Sequence, residues 1–253
     1  MTIISTTRGE VHYKDYRPDE FNGVPFVLVH GAGSQYRDYH PQLRRGLPAI
    51  ALDLPGHGKS PRHDEPISIP NYAQDVIALL DAIALERVIL VGHSMGGGIA
   101  QQIALDHPER LQGLVLIATG AKLAVNPTII EGIVTQPQET AELVTQWSWG
   151  AIADEALIKQ GVEQLLETAV EVIQADYIAC DQFDVRERLL EISTPTLIIA
   201  GGADKMTRLA WNQALAEGIP NSQLHVFEQC GHMVHAEEPQ GVLEAIREWS
   251  ETL

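Results

Sequence analysis

Six short strand-like runs, each closed by a turn, constrain the fold more than any other feature of the chain. They are Val24-Pro25-Phe26-Val27-Leu28-Val29, Pro48-Ala49-Ile50-Ala51-Leu52-Asp53, Arg87-Val88-Ile89-Leu90-Val91-Gly92, the stretch 111–118, Pro195-Thr196-Leu197-Ile198-Ile199-Ala200 and Leu224-His225-Val226-Phe227. The first five do not alternate between apolar and polar residues. A strand that is apolar on both sides must be covered on both sides, as in a sheet lying between two layers of helix. Helical patterns fall between the runs. Tyr72, Val76, Leu79, Leu80 and Ile83 recur at helical spacing over 69–84, a small-residue helix is predicted over 94–106, and a last helix over 240–252. Ahead of them, residues 3–7 and 11–16 read as a hairpin around Arg8-Gly9. Strand and helix alternate, so the expected architecture is α/β: a parallel sheet flanked by helices.

The alternation stops between 120 and 191, where no buried-strand run occurs. Helix-like pieces are predicted over 138–147, 155–174 and 184–191, and Trp147 and Trp149 lie here. The expected organisation is a core built from 1–119 and 192–253, with 120–191 inserted as helices over one end of the sheet. No repeat, low-complexity tract or linker divides the chain.

Gly92-His93-Ser94-Met95-Gly96 matches Gly-x-Ser-x-Gly, placed between a buried strand and a helix. Small residues on either side of the serine let strand and helix pass closely. The turn presents the hydroxyl at the sheet edge, and the helix start offers N–H groups to a developing negative charge. A serine hydroxyl is a weak nucleophile without a base, and the base needs an orienting acid. The candidate base is His232, which follows Gly231 after the last strand, with His235 as its rival. The candidate acid is Asp204, in Gly201-Gly202-Ala203-Asp204 after the fifth run; the loop Thr119-Gly120-Ala121-Lys122 offers no carboxylate. Two N–H donors are needed for an oxyanion. Met95 supplies one, and the turn His30-Gly31-Ala32-Gly33-Ser34 the other, assigned to Ala32 with Gly33 as its rival.

Four blocks carry a resemblance to a known superfamily. They are His30-Gly31-Ala32-Gly33-Ser34, Asp53-Leu54-Pro55-Gly56-His57-Gly58-Lys59-Ser60, Gly92-His93-Ser94-Met95-Gly96-Gly97, and Gly231-His232 followed by Glu237-Glu238-Pro239. The chain resembles the α/β-hydrolase superfamily, in its branch of small lidded serine esterases, lactonases and carbon–carbon hydrolases. The order Ser, Asp, His is the order of that fold. The resemblance implies an eight-stranded, mostly parallel sheet with its second strand antiparallel. It also implies Ser94 as nucleophile, His232 as base, Asp204 as acid, and a lid at 120–191. Relatives with an aspartate nucleophile are excluded by Ser94. Carbon–carbon hydrolases of the fold often carry Asn where this chain has His93, and an Arg in the pocket. Between 120 and 183 the basic residues are Lys122 and Lys159, with Arg186 and Arg188 beyond, so an uncharged or weakly polar ester is favoured.

The remaining expectations concern the pocket and the setting. Gly31, Gly33, His93, Trp147, Trp149, Met206 and Met233 are expected to contact substrate, and Tyr177, Phe183 and Met95 to add apolar walls. Cys180 and Cys230 read as small buried hydrophobes. The 253 residues carry 17 Lys+Arg against 34 Asp+Glu, a formal charge of −17. Such a balance argues against nucleic acid and against anionic membrane surfaces as partners. No apolar run approaches the ~20 residues that span a bilayer, no signal peptide is recognisable, and two cysteines make no disulfide framework. The expectation is a cytoplasmic monomer or homodimer acting on a small ester-like molecule with no metal or organic cofactor. Other reactions on the same triad, carbon–carbon hydrolysis or acyl transfer among them, and a ligand receptor that does no chemistry, are the alternatives.

Overall fold

The computed structural model describes residues 2–151 and 155–253. Among them, β1 (Thr2–Ser5), β2 (Glu10–Asp15), β3 (Phe26–Val29), β4 (Ala49–Leu52), β5 (Val88–His93), β6 (Leu111–Ile117), β7 (Thr196–Gly201) and β8 (Ser222–Phe227) form one sheet, ordered β1-β2-β4-β3-β5-β6-β7-β8. β2 runs antiparallel to both β1 and β4, and every other pairing is parallel.

The doubly apolar runs have a direct physical reason. Val27, Val29, Ile50, Leu52, Leu90, Leu114, Leu116 and Ile198 point to one face. There they pack with α2 (Ile69–Ala82) and α3 (Met95–Asp106). Their neighbours Phe26, Leu28, Ala49, Ala51, Ile89, Val91, Val115, Ile117, Leu197 and Ile199 point to the other face. Leu43 and Trp249, at opposite ends of the chain's sequence, close that second core. Each central strand therefore feeds two cores through its period of two.

Helix ends explain where the predicted limits move. α2 starts where Ser68 Oγ accepts the Asn71 N–H at 3.2 Å, and it stops at Ala82 because Ala84 turns into the left-handed region at φ 55°. Between β6 and β7 lie α4 (Pro127–Thr135), α5 (Pro137–Ser148), α6 (Glu155–Leu165) and α7 (Val170–Gln182), following the short α1 (Pro41–Gly46) and the α2–α3 pair in chain order. The single helix expected over 155–174 is two helices, α6 and α7. The turn between them is set by Thr168, whose hydroxyl reaches out of the insertion to the Gly33 carbonyl. α4 was not legible as a helix; Asn126 caps it and Pro127 opens it. The piece over 184–191 is a 3-10 helix, Arg186–Glu191.

The two ends of the insertion meet. Lys122 and Asp184 form an antiparallel bridge, and the Val185 N–H donates to the Ala121 carbonyl at 2.8 Å. The inserted helices share a core of Ile129, Ile133, Val144, Ile173 and Tyr177. After β7 come α8 (Leu209–Gly218), the short α9 (Val234–Glu237) and α10 (Pro239–Ser250). Among the described residues no helix is long and apolar enough to cross a membrane.

Candidate active site

The C-terminal ends of β3, β5, β7 and β8 lead into four loops, and these carry the candidate residues. This is the edge at which open α/β sheets hold their ligands. Ser94 sits between β5 and α3 at φ 53°, ψ −117°, backbone that a side-chain-bearing residue holds only when its surroundings enforce it. Here they do. A Cβ on Gly92 would lie 2.2 Å from the Gly96 carbonyl oxygen, and one on Gly96 would lie 2.1 Å from that of Val29. Only hydrogen fits at either place. Thr119 Oγ1 donates to the Ser94 carbonyl at 2.8 Å and secures the turn from β6.

Asp204 and His232 come together from different strands. His232 Nδ1 donates to Asp204 Oδ2 at 2.9 Å, and both side chains are buried. Asp204 also accepts the Met206 and Thr207 N–H groups at 2.7 and 2.9 Å and the Thr207 hydroxyl at 2.7 Å. Burial pushes its carboxyl up, but the His232 ring and the Thr207 donors outweigh this and hold it below the ordinary carboxylate value. Thr207, whose oxygen also lies 3.1 Å from His232 Nδ1, was missed in the sequence. Its position three residues after Asp204 fits an Asx-type turn, which was the available signal.

The His232 loop is held on three sides. His93 Nε2 donates to the His232 carbonyl at 3.0 Å, which ties the loop to the residue beside Ser94. The Gly231 N–H donates to Glu237 Oε1 at 2.8 Å, and the Met233 N–H to the Ser148 carbonyl at 3.0 Å. The rival His235 lies elsewhere. It is buried against Tyr39 and His93, and burial with the nearby His232 lowers it to about 3. His232 lines the cavity between the sheet edge and the inserted helices, and His235 does not.

That cavity encloses about 410 Å³ and is bounded by both the sheet edge and the insertion. Ser94, His232, His93, Gly31 and Ala32 line it from the core, with Met206 and Met233. Trp147, Trp149 and Tyr177 line it from the inserted helices. Three expectations are corrected. Gly33 does not line the cavity, and its N–H is taken by Asp176 Oδ2 at 2.9 Å. The Met95 side chain is wholly buried in the core under α3 and forms no wall of the cavity. Phe183 packs against Gly98 in the core.

The oxyanion question is thereby narrowed. Of the two candidate donors, Gly33 N–H is engaged, whereas among the described residues the Ala32 N–H meets no protein acceptor. Arg186 and Arg188 do not reach in; they pair with Asp184 and Glu191 at the surface. Two cations that the sequence reading passed over do line the cavity, the exposed Lys205 and Arg208, on the loop that carries Asp204. Both cysteine thiols are buried and free; burial raises Cys180, and Cys230 to about 11. Among the described residues no group of three or more His, Cys, Asp or Glu is gathered to hold a metal ion.

A model of the alpha/beta hydrolase family matches residues 26–245, and the chain belongs to that family. It is 31% identical over 252 residues to a 2-hydroxy-6-oxo-6-phenylhexa-2,4-dienoate hydrolase of Burkholderia cepacia, covering 89% of this chain and 87% of that one. It is 32% identical over 212 residues to a 3-oxoadipate enol-lactonase of Acinetobacter baylyi, covering 78% and 76%. Among solved structures, a thermophilic esterase superposes with a TM-score of 0.83 at 29% identity, covering 96% of this chain and 98% of the other.

Proposed function

We propose that the protein is a serine hydrolase that cleaves a carboxylic ester, thioester or lactone through an acyl-enzyme on Ser94. The observation that carries this reading is the buried Asp204–His232 hydrogen bond, facing the same cavity as a serine held in left-handed backbone. With Nδ1 committed to Asp204, His232 has Nε2 left to accept the Ser94 proton as the hydroxyl attacks the substrate carbonyl. The Met95 and Ala32 N–H groups receive the oxyanion. His232 then protonates the leaving group, and a water molecule attacks the acyl-enzyme with His232 again as base. The reaction needs no metal or organic cofactor. The mainly apolar walls, including Trp147, Trp149, Met206 and Met233, suit a small to medium apolar substrate covered by the insertion acting as a lid.

Carbon–carbon hydrolysis on the same triad is the second reading. The likeness to a dienoate hydrolase supports it. Hydrolysis of p-nitrophenyl acetate, butyrate and octanoate by the wild type and by Ser94→Ala tests the first. The variant should lose roughly 10⁴-fold or more in kcat/KM, and the wild type should show an acyl-enzyme burst. Equal activity in both proteins would refute Ser94 as nucleophile. No ester turnover, with turnover of a vinylogous diketone acid, would move the assignment to carbon–carbon hydrolysis.

A further inference from the structure

Both backbone polar groups of Gly33 are held by side chains of the insertion. Its N–H donates to Asp176 Oδ2 on α7 at 2.9 Å, and its carbonyl accepts the Thr168 hydroxyl at 2.9 Å. Asp176 has no solvent exposure. Its carboxylate is surrounded by donors: besides Gly33, His57 Nε2 at 2.8 Å on Oδ2 and the Tyr72 hydroxyl at 2.8 Å on Oδ1. A buried carboxylate is tolerated only with such a shell. The shell joins four separate parts of the chain: α7, α2, the turn that follows β3 and, through His57, the turn that follows β4.

The turn it holds carries the proposed oxyanion donor. A trans peptide is planar, with its C=O and N–H pointing in opposite directions. The Ala32 N–H therefore points away from the Gly31 carbonyl in the same plane. That carbonyl accepts His30 Nδ1 at 2.8 Å and the Ser34 N–H at 3.2 Å. The His30 ring is fixed in turn by the Leu54 N–H, which donates to Nε2 at 3.0 Å, and it packs 4.9 Å from the His57 ring that Asp176 holds. The next peptide plane, Ala32 to Gly33, is set by Asp176 directly. A Cβ on Gly33 would lie 2.5 Å from Leu165 Cδ1 and 3.3 Å from Ile173 Cγ1, so side chains of the insertion pack directly on this turn.

We propose that Asp176, with Thr168, is a positioning residue for the oxyanion hole. Asp176 fixes the Ala32–Gly33 peptide plane directly and, through His57, backs the His30 ring that bonds the Gly31 carbonyl, while Thr168 fixes the Gly33–Ser34 plane that follows. The inference rests on the hydrolase reading above, and it makes the α6–α7 end of the insertion part of the catalytic apparatus as well as a cover for substrate.

Thr168→Val keeps the side-chain shape and removes the donor. Asp176→Leu keeps the approximate side-chain volume and removes the acceptor for Gly33 and His57. Each is compared with wild type on p-nitrophenyl butyrate and for inhibition by an alkyl trifluoromethyl ketone, well below the melting temperature. The expected result is a fall in kcat of about tenfold to a hundredfold with KM within twofold. Affinity for the ketone, whose adduct places an oxyanion in the hole, should fall by the same factor, and Thr168→Ser should restore both. Lowered melting temperatures with wild-type kcat and wild-type ketone affinity would overturn the proposal and leave Asp176 a simple anchor. A loss confined to KM would overturn it too. A wild type that neither turns over the ester nor binds the ketone would overturn the hydrolase reading and this inference together. That outcome is distinct from an active wild type with unaffected variants.

Discussion

Two glycines in one helix should respond to alanine in opposite ways. At Gly96 a Cβ would stand 2.1 Å from the Val29 carbonyl oxygen and 2.7 Å from that of His30. Both are backbone atoms of β3 and the turn that follows it, which cannot rotate aside. Reaching even 3.0 Å needs a separation of about 0.9 Å (3.0 − 2.1) between the start of α3 and the end of β3. The Met95 N–H rides on one side of that gap and Ala32 on the other. A displacement of about 1 Å in a catalytic constellation costs on the order of a hundredfold in rate, and overpacking here costs about 1–3 kcal/mol of stability. At Gly98 the nearest atoms are Leu123 Cδ1 at 3.1 Å and Phe183 Cδ1 at 3.4 Å, both side-chain atoms, the first a flexible tip. There the removal of a helical glycine is expected to gain about 0.5–1 kcal/mol. Ester kcat/KM and thermal melting are measured for Gly96→Ala and Gly98→Ala. The expected pattern is about 10²-fold loss and a lower Tm for the first, with wild-type kcat/KM and a Tm higher by about 1–3 °C for the second. Full activity in Gly96→Ala, or equal damage from both, would refute the claim that the β3–α3 contact sets the donor spacing.

Stability should fall on mild acidification. His30 and His235 are lowered to about 3, chiefly by burial, whereas an unfolded histidine titrates near 6.5. Between these values the unfolded chain binds more protons, so this contribution is fully present above about pH 6.5 and is lost as pH falls, by at most ~1.4 kcal/mol per pH unit for each ring. Urea unfolding from pH 5 to 8 checks it: His235→Phe should flatten the slope by about one proton, and an unchanged slope would contradict the reading. Lys205 and Arg208 line the cavity of a chain of net charge −17, so the Lys205→Gln/Arg208→Gln pair should raise KM about tenfold for a p-nitrophenyl ester ending in a carboxylate. It should leave the neutral ester of equal length unchanged, and equal effects on both would remove any charge recognition at the mouth.

The core was legible because its signal is local. Strand runs such as Val88-Ile89-Leu90-Val91 are apolar on both sides for a reason that needs no tertiary knowledge, and Gly92 and Gly96 announce a close crossing. Ser94, His232 and Asp204 stand out as candidates because the proposed chemistry requires those residue types after strands, and the fold brings His232 onto Asp204 and lines one cavity with Ser94 and His232. The insertion was read poorly. A continuous helix was expected across 155–174 because nothing in Leu166-Glu167-Thr168-Ala169 is a strong breaker; the break is imposed from outside, by the bond between Thr168 and Gly33. Gly33 was placed against substrate for the same reason: its partner Asp176 lies 143 positions away. Met95 and Phe183 were assigned to the pocket by proximity in sequence to Ser94 and the insertion, but helix and turn geometry send their side chains into the core.

The distribution of these misses says something about how such a site is held. Each of the four loops at the sheet edge is irregular, so secondary structure alone does not dictate where its key atom lies. The geometry comes from side chain-to-backbone bonds that cross between loops. Thr119 holds the Ser94 carbonyl, His93 the His232 carbonyl, and Asp176 the Gly33 N–H. Glu237 spans the His232 loop and the end of α5, accepting N–H groups from both Gly231 and Gly150. Burial raises its carboxyl against those two donors. Every one of these bonds has its partners on different elements, so no loop can relax alone. A residue type that makes chemistry is visible where it stands, whereas a residue that holds another in place is defined by what it reaches. The long-range holders, Thr119, Thr168 and Asp176, are therefore the part of the site that only the folded chain reveals.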